Sequence, residues 1–140
     1  MIYVIGSLKN GIAAAEVSKS LRAGGHMVFD SWIAAGPDAD DHWQAYEIAR
    51  GHGYQEALDG IAAQHVYDFD KRWLDYCDTG VLVMPAGKSA FSELGYMAGR
   101  GKQTYVLMDA EPVRYDVMLK LFTAVVWSVE ELMEKLSVTK

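Results

Sequence analysis

Gly80-Val-Leu-Val-Met-Pro-Ala-Gly-Lys-Ser-Ala-Phe-Ser-Glu93-Leu-Gly-Tyr-Met-Ala-Gly-Arg100 decides how this chain folds. The apolar run Val81 to Met84 reads as a buried strand. Pro85, Ala86 and Gly87 break it, and an amphipathic helical pattern starts at Ser89. Strand, tight loop and helix make half of a parallel crossover unit. In an open α/β sheet, ligands bind beyond the carboxyl ends of such strands, where helix N-termini present free N–H groups. On a helical wheel Phe91, Leu94, Met97 and Ala98 form the apolar stripe. Glu93 falls beside it in what the spacing predicts to be the first turn, flanked by Tyr96 and Arg100. There it is either a solvated partner of the helix dipole or a carboxylate aimed into a cleft. A capping box does not account for it, because Ser92 stands three residues after Ser89. Lys88-Ser89 is not a phosphate-binding P-loop either, since Gly80 lies too far back for the required spacing.

Working outward, the same alternation recurs. Strands are predicted at Ile2 to Ile5, Met27 to Phe29, Thr104 to Met108 and Ala124 to Trp127. Helices are predicted from Gly11 to Ala23, around Asp41 to Arg50, from Tyr54 to Tyr76, from Tyr115 to Leu121 and from Val129 to Leu136. Strands that alternate with helices imply a parallel sheet covered on both faces. The expectation is one flavodoxin-like, doubly wound α/β domain of about five strands spanning residues 1–140.

Composition narrows the function classes. The chain has 140 residues, 13 Lys plus Arg against 19 Asp plus Glu, and a net charge of −6, which disfavours duplex nucleic acid and anionic membrane. Its single cysteine, Cys77, cannot form an internal disulfide. The N-terminus opens at once on an apolar strand rather than a signal peptide, and no apolar run approaches the roughly 18 residues of a membrane span. A soluble cytoplasmic protein acting on small molecules is expected. Asp38, Asp40 and Asp41 read as turn and helix-start residues, and the four histidines lack zinc spacing, so no metal and no cofactor is called for.

The long helix supplies a second carboxylate. Its stripe is expected to run through Ala62, Val66, Phe69, Trp73 and Cys77, with Asp70 at the seam and Asp68 and Asp75 on the solvent side. A carboxylate bordering an apolar stripe needs a partner or works in a site. Trp32, Trp43 and Tyr46 either stack on a bound base or anchor the segment 30–53 to the body. Tyr3 packs inside the first strand, with its hydroxyl within reach of the cleft. Met97, Met118 and Met133 read as gap fillers.

Asp70, a helix ending near Asp78, the apolar strand, the small-residue loop and Ser92-Glu93-Leu94-Gly95-Tyr96 together resemble the nucleoside 2-deoxyribosyltransferase family, whose relatives include the deoxynucleoside 5'-monophosphate N-glycosidases. The resemblance extends to Gly6 and Ser7 and to Tyr115-Asp116-Val117-Met118, and does not cover 30–53. It implies that Glu93 is the nucleophile and that Asp70 orients it or handles the proton of the departing base. It also implies that Gly6, Ser7, Gly87, Lys88, Ser89, Asp116 and Met118 contact substrate, the last two in a neighbouring subunit's site. The implied substrates are a nucleoside or nucleotide and a free nucleobase, turned over by a homo-oligomer with shared sites. Two positions depart from the family. Gly87 stands where many transferases have a base-contacting aspartate, and Asp116 replaces an asparagine. Transfer to a second base, hydrolysis of a 5'-monophosphate and a silent nucleotide-binding module are the readings carried forward.

Overall fold

The computed structural model describes residues 1–138. Its centre is a five-stranded, all-parallel sheet of β1 (Ile2–Ile5), β2 (Val28–Phe29), β3 (Thr79–Val83), β4 (Gln103–Leu107) and β5 (Ala124–Val126), in the order β2-β1-β3-β4-β5. This is the flavodoxin-like order, in which the chain turns outward from β1 to one side and from β3 to the other. The pair is in register from Ile2 opposite Thr79 to Ile5 opposite Leu82. The topological switch point, where such sheets bind ligands, therefore lies beyond Ile5 and Val83.

Because strand side chains alternate, the central strands feed two cores. Ile2, Val4, Val81, Val83, Tyr105 and Leu107 pack under α1 (Gly11–Ala23) and α6 (Val129–Val138). Tyr3, Ile5, Leu82 and Val106 pack under α4 (Ile61–Tyr76) and α5 (Lys88–Gly99). The helix α5 lies close to the sheet because Gly80 leaves room for it: a Cβ there would stand 2.8 Å from Met97 Sδ and 2.9 Å from Leu94 Cδ1. Leu94 and Met97 are wholly buried. At about 1.5–3 kcal/mol for each buried side chain, they fix α5, and with it Glu93, against β3.

Several element boundaries differ from the sequence reading. The helix expected from Tyr54 to Tyr76 is two helices, α3 (Tyr54–Leu58) and α4, parted where Gly60 takes extended backbone at φ −85° and ψ 170°. The expected buried stripe is also corrected, since Val66 is 55% and Phe69 41% exposed while Leu74 and Cys77 are buried. A 16-residue helix is about 24 Å long, against roughly 16 Å for a five-residue strand, so the first turns of α4 overshoot the carboxyl edge of the sheet. The short helix near 115–121 is a 3-10 turn over Val117–Leu121. Within 30–53 lie a 3-10 turn, Ser31–Ala35, and α2, Ala39–Ala49. No helix among the described residues is long and apolar enough to cross a membrane.

Candidate active site

Side chains from α4 and α5 bear on one another beside β1: Asp70 from the first, Glu93 from the second. Glu93 is the sixth residue of α5, which begins at Lys88 with Gly87 as its N-cap, so it stands in the second turn and not, as expected, in the first. Ser89 is inside the helix rather than its cap. The free amides of the first turn are thus one turn away from the carboxylate, and the dipole effect has largely fallen off there. The partner of Glu93 comes instead from the sheet: Tyr3 Oη donates to Glu93 Oε2 at 3.1 Å. The Tyr3 ring is itself buried and packed on Phe29, with ring centroids 4.7 Å apart.

Electrostatics set the state of this carboxylate. Burial, reinforced by the negative charge of Asp70, pushes Glu93 up to about 7, and the Tyr3 hydrogen bond pulls the other way. Asp70 is raised too, first by burial and then by Asp40 on α2. Tyr3 is held well above the ordinary tyrosine range by burial, Glu93 and Asp70, and so stays a hydrogen-bond donor. Two carboxyl groups, one of which is raised by the charge of the other, do not ionise independently. Such a pair can supply an anion to a developing positive charge and a proton to a leaving group.

Neighbouring loops frame the pair. Ser7 Oγ accepts from the Lys9 amide and caps the 3-10 turn that follows β1. A Cβ on Gly6 would lie 3.3 Å from the Trp32 ring, whose indole N–H donates to the Val4 carbonyl at 2.7 Å. Trp32 therefore anchors the segment 30–53 to the end of β1. Asn10 Nδ2 lies 3.3 Å from the Met84 carbonyl oxygen and 3.4 Å from that of Pro85, joining the loop after β1 to the loop after β3. Lys88 and Ser89 are exposed at the start of α5, beside Gly87.

Not every expected residue joins Glu93. Asp116 caps its own 3-10 turn, its Oδ1 accepting from the Met118 amide at 2.9 Å, and Met118 is exposed. Asp75, expected merely to be solvated, accepts from Tyr96 Oη and from Lys71 Nζ and lies 3.8 Å from Arg100 Nε. This cluster clamps α4 to α5 and takes Tyr96 and Arg100 away from Glu93. Among the described residues no group of His, Cys, Asp and Glu could hold a metal ion. Periodicity alone does not single out Tyr3, because β1 is buried on both faces. The available cue is that a tyrosine hydroxyl inside a buried strand requires a polar partner.

No protein-family model matches this sequence, and no curated protein matches it. Replacing Tyr3 by Phe removes the one interaction that lowers Glu93, so the midpoint of Glu93 is expected to rise further above 7. If Glu93 acts as an anion, the acid limb of the kcat/KM profile moves to higher pH. Activity at pH 7 then falls by roughly 10-fold to 100-fold, as for loss of a hydrogen bond to a charged group. A pH–rate profile of the variant checks this.

Proposed function

We propose that this chain cleaves the N-glycosidic bond of a 2'-deoxyribonucleoside by displacement at Glu93 and transfers the deoxyribosyl group to a second nucleobase. The observation that carries the reading is the half-buried Glu93 carboxylate, held on one oxygen by Tyr3 of β1 and faced by the Asp70 charge. As substrate binds, the proton held by Glu93 passes to Asp70, and because Tyr3 occupies Oε2, Oε1 attacks the anomeric carbon. The C–N bonding pair leaves with the base, and the base takes a proton from Asp70. A nitrogen of the incoming base then attacks the same carbon from the opposite face, Glu93 departs, and the proton returns to Asp70. The oxocarbenium character of both transition states is what an adjacent carboxylate stabilises, as in retaining glycosidases. The proposed substrates are small molecules, with no resident cofactor required by these steps.

The shared-site part of the proposal finds support in the segment after β4, where Val113, Tyr115, Val117 and Met118 are exposed large apolar residues. A homo-oligomer would cover them and bring Asp116 and Met118 to a neighbouring Glu93. A second reading, hydrolysis of a deoxynucleoside 5'-monophosphate, is favoured by one feature. The helix α5 opens on Gly87 without a side-chain cap, with Lys88 and Ser89 exposed on its first turn, an arrangement suited to a phosphate. If that reading applies, Lys88→Ala weakens use of monophosphates about tenfold or more and leaves nucleosides unchanged.

The deciding experiment incubates the protein with a panel of deoxynucleosides and their 5'-monophosphates, with and without free bases, and resolves the products by chromatography. Exchange of bases supports transfer. Release of base only, from monophosphates, supports the hydrolase. Tight binding without turnover rejects both in favour of a nucleotide-binding module.

A further inference from the structure

Residues 37–50 are attached to the body in an unusual way. The helix α2 buries a single residue, and that residue is charged: the side chain of Glu47 is 4% exposed. Its large apolar residues form no buried stripe: Tyr46 and Ile48 are exposed, and Trp43 is half-buried with its indole nitrogen enclosed. Both of its ends carry glycines in backbone that favours glycine, Gly36 at φ +86° and ψ 167° and Gly51 at φ +79°. Beyond the first of these, Trp32 is fixed to β1 through its bond to the Val4 carbonyl. Next to the second, Glu47 Oε2 lies 3.4 Å from His52 Nδ1 and Oε1 lies 3.5 Å from Arg50 Nη1. A Cβ on Gly60, at the start of α4, would stand 3.6 Å from Glu47 Oε2. The buried carboxylate thus sits against the α3–α4 junction. At the free end, Lys9 Nζ bridges Asp38 at 3.0 Å and Asp41 at 3.2 Å, both ion pairs being exposed to solvent. Lys9 belongs to the turn that Ser7 caps, just after β1.

We propose that residues 37–50 are a lid that swings about Gly36 and Gly51 and that Lys9, through Asp38 and Asp41, latches it shut against the loop after β1. The latch stands on its own, and its effect on catalysis rests on the proposed glycosyl transfer. With Asp38 and Asp41 engaged by Lys9, Asp40 is the carboxylate of this turn whose charge reaches Asp70. Closed, the lid keeps water from the glycosyl enzyme, which favours a base as acceptor.

Hydrogen exchange followed by mass spectrometry on the full-length, ligand-free protein tests the lid. In Lys9→Glu the amides of residues 39–49 are expected to exchange roughly fivefold faster or more, as for loss of exposed ion pairs that hold a local opening. Those of α5 and β3 stay at wild-type rates. The charge-swapped protein Lys9→Glu/Asp38→Lys/Asp41→Lys returns to the wild-type pattern. An unchanged rate over 39–49, a uniform rise along the chain, or no recovery in the charge swap overturns the latch. This measurement needs no turnover, so failure of the lid is distinguishable from failure of the glycosyl-transfer reading, which the product assay decides.

Discussion

Glu93→Gln is expected to abolish base release and, above pH 7, to make the protein more stable. Loss of turnover on the order of 10⁴-fold or more follows if a neutral amide replaces the nucleophile. The gain in stability follows from linkage. The carboxyl has a reference value of 4.5 and is pushed up to about 7 in the folded protein. Between these values the native state binds more protons than the unfolded one, so stability falls as pH rises through this window and stays low above it. The cost of ionising Glu93 in place is about 3 kcal/mol by that difference, and an amide does not incur it. Urea unfolding at pH 8 should show Glu93→Gln more stable by about that amount, and at pH 4 the advantage should vanish. A variant less stable than wild type at pH 8 would mean that the site favours the anion even without substrate.

Asp70→Asn should separate the roles of the two carboxylates. If Asp70 protonates the departing base, kcat for deoxynucleosides falls by roughly 10²-fold to 10⁴-fold. A substrate whose leaving group needs no proton, such as p-nitrophenyl 2-deoxyriboside, retains most of its rate. At the same time the midpoint of Glu93 should drop below about 7, because the Asp70 charge is one of the two influences that raise it. The acid limb of the rate profile with the activated substrate then moves to lower pH. Equal losses on both substrates would assign Asp70 to positioning rather than to proton transfer.

Both carboxylates are legible in the sequence. Glu93 and Asp70 stand out in the sequence because each borders an apolar stripe at helical spacing. The succession of strands and helices is equally legible, since periods of 2.0 and 3.6 residues are written into any amphipathic element. The break between α3 and α4 was less so. Gly60 can sit inside a helical pattern, and what ends α3 is a local turn, with the Gly60 amide donating to the Ala57 carbonyl. The exposure of Val66 and Phe69 was hidden for a different reason: periodicity says which face a residue is on, but not where the sheet beneath it ends.

By itself, then, the sequence determined the class of fold, one parallel sheet with helices on both faces, and the two helices that carry the candidate acids. Local pattern suffices for that because each element buries its own stripe. Only the tertiary structure decided what those acids can do. Tyr3 meets Glu93 across 90 positions of chain, Lys9 reaches Asp38 and Asp41 across 29 and 32, and the charges of Asp70 and Asp40 act through space. The proton affinity of a carboxylate depends on the water removed from it and the charges brought near it, and both are supplied by elements distant in sequence.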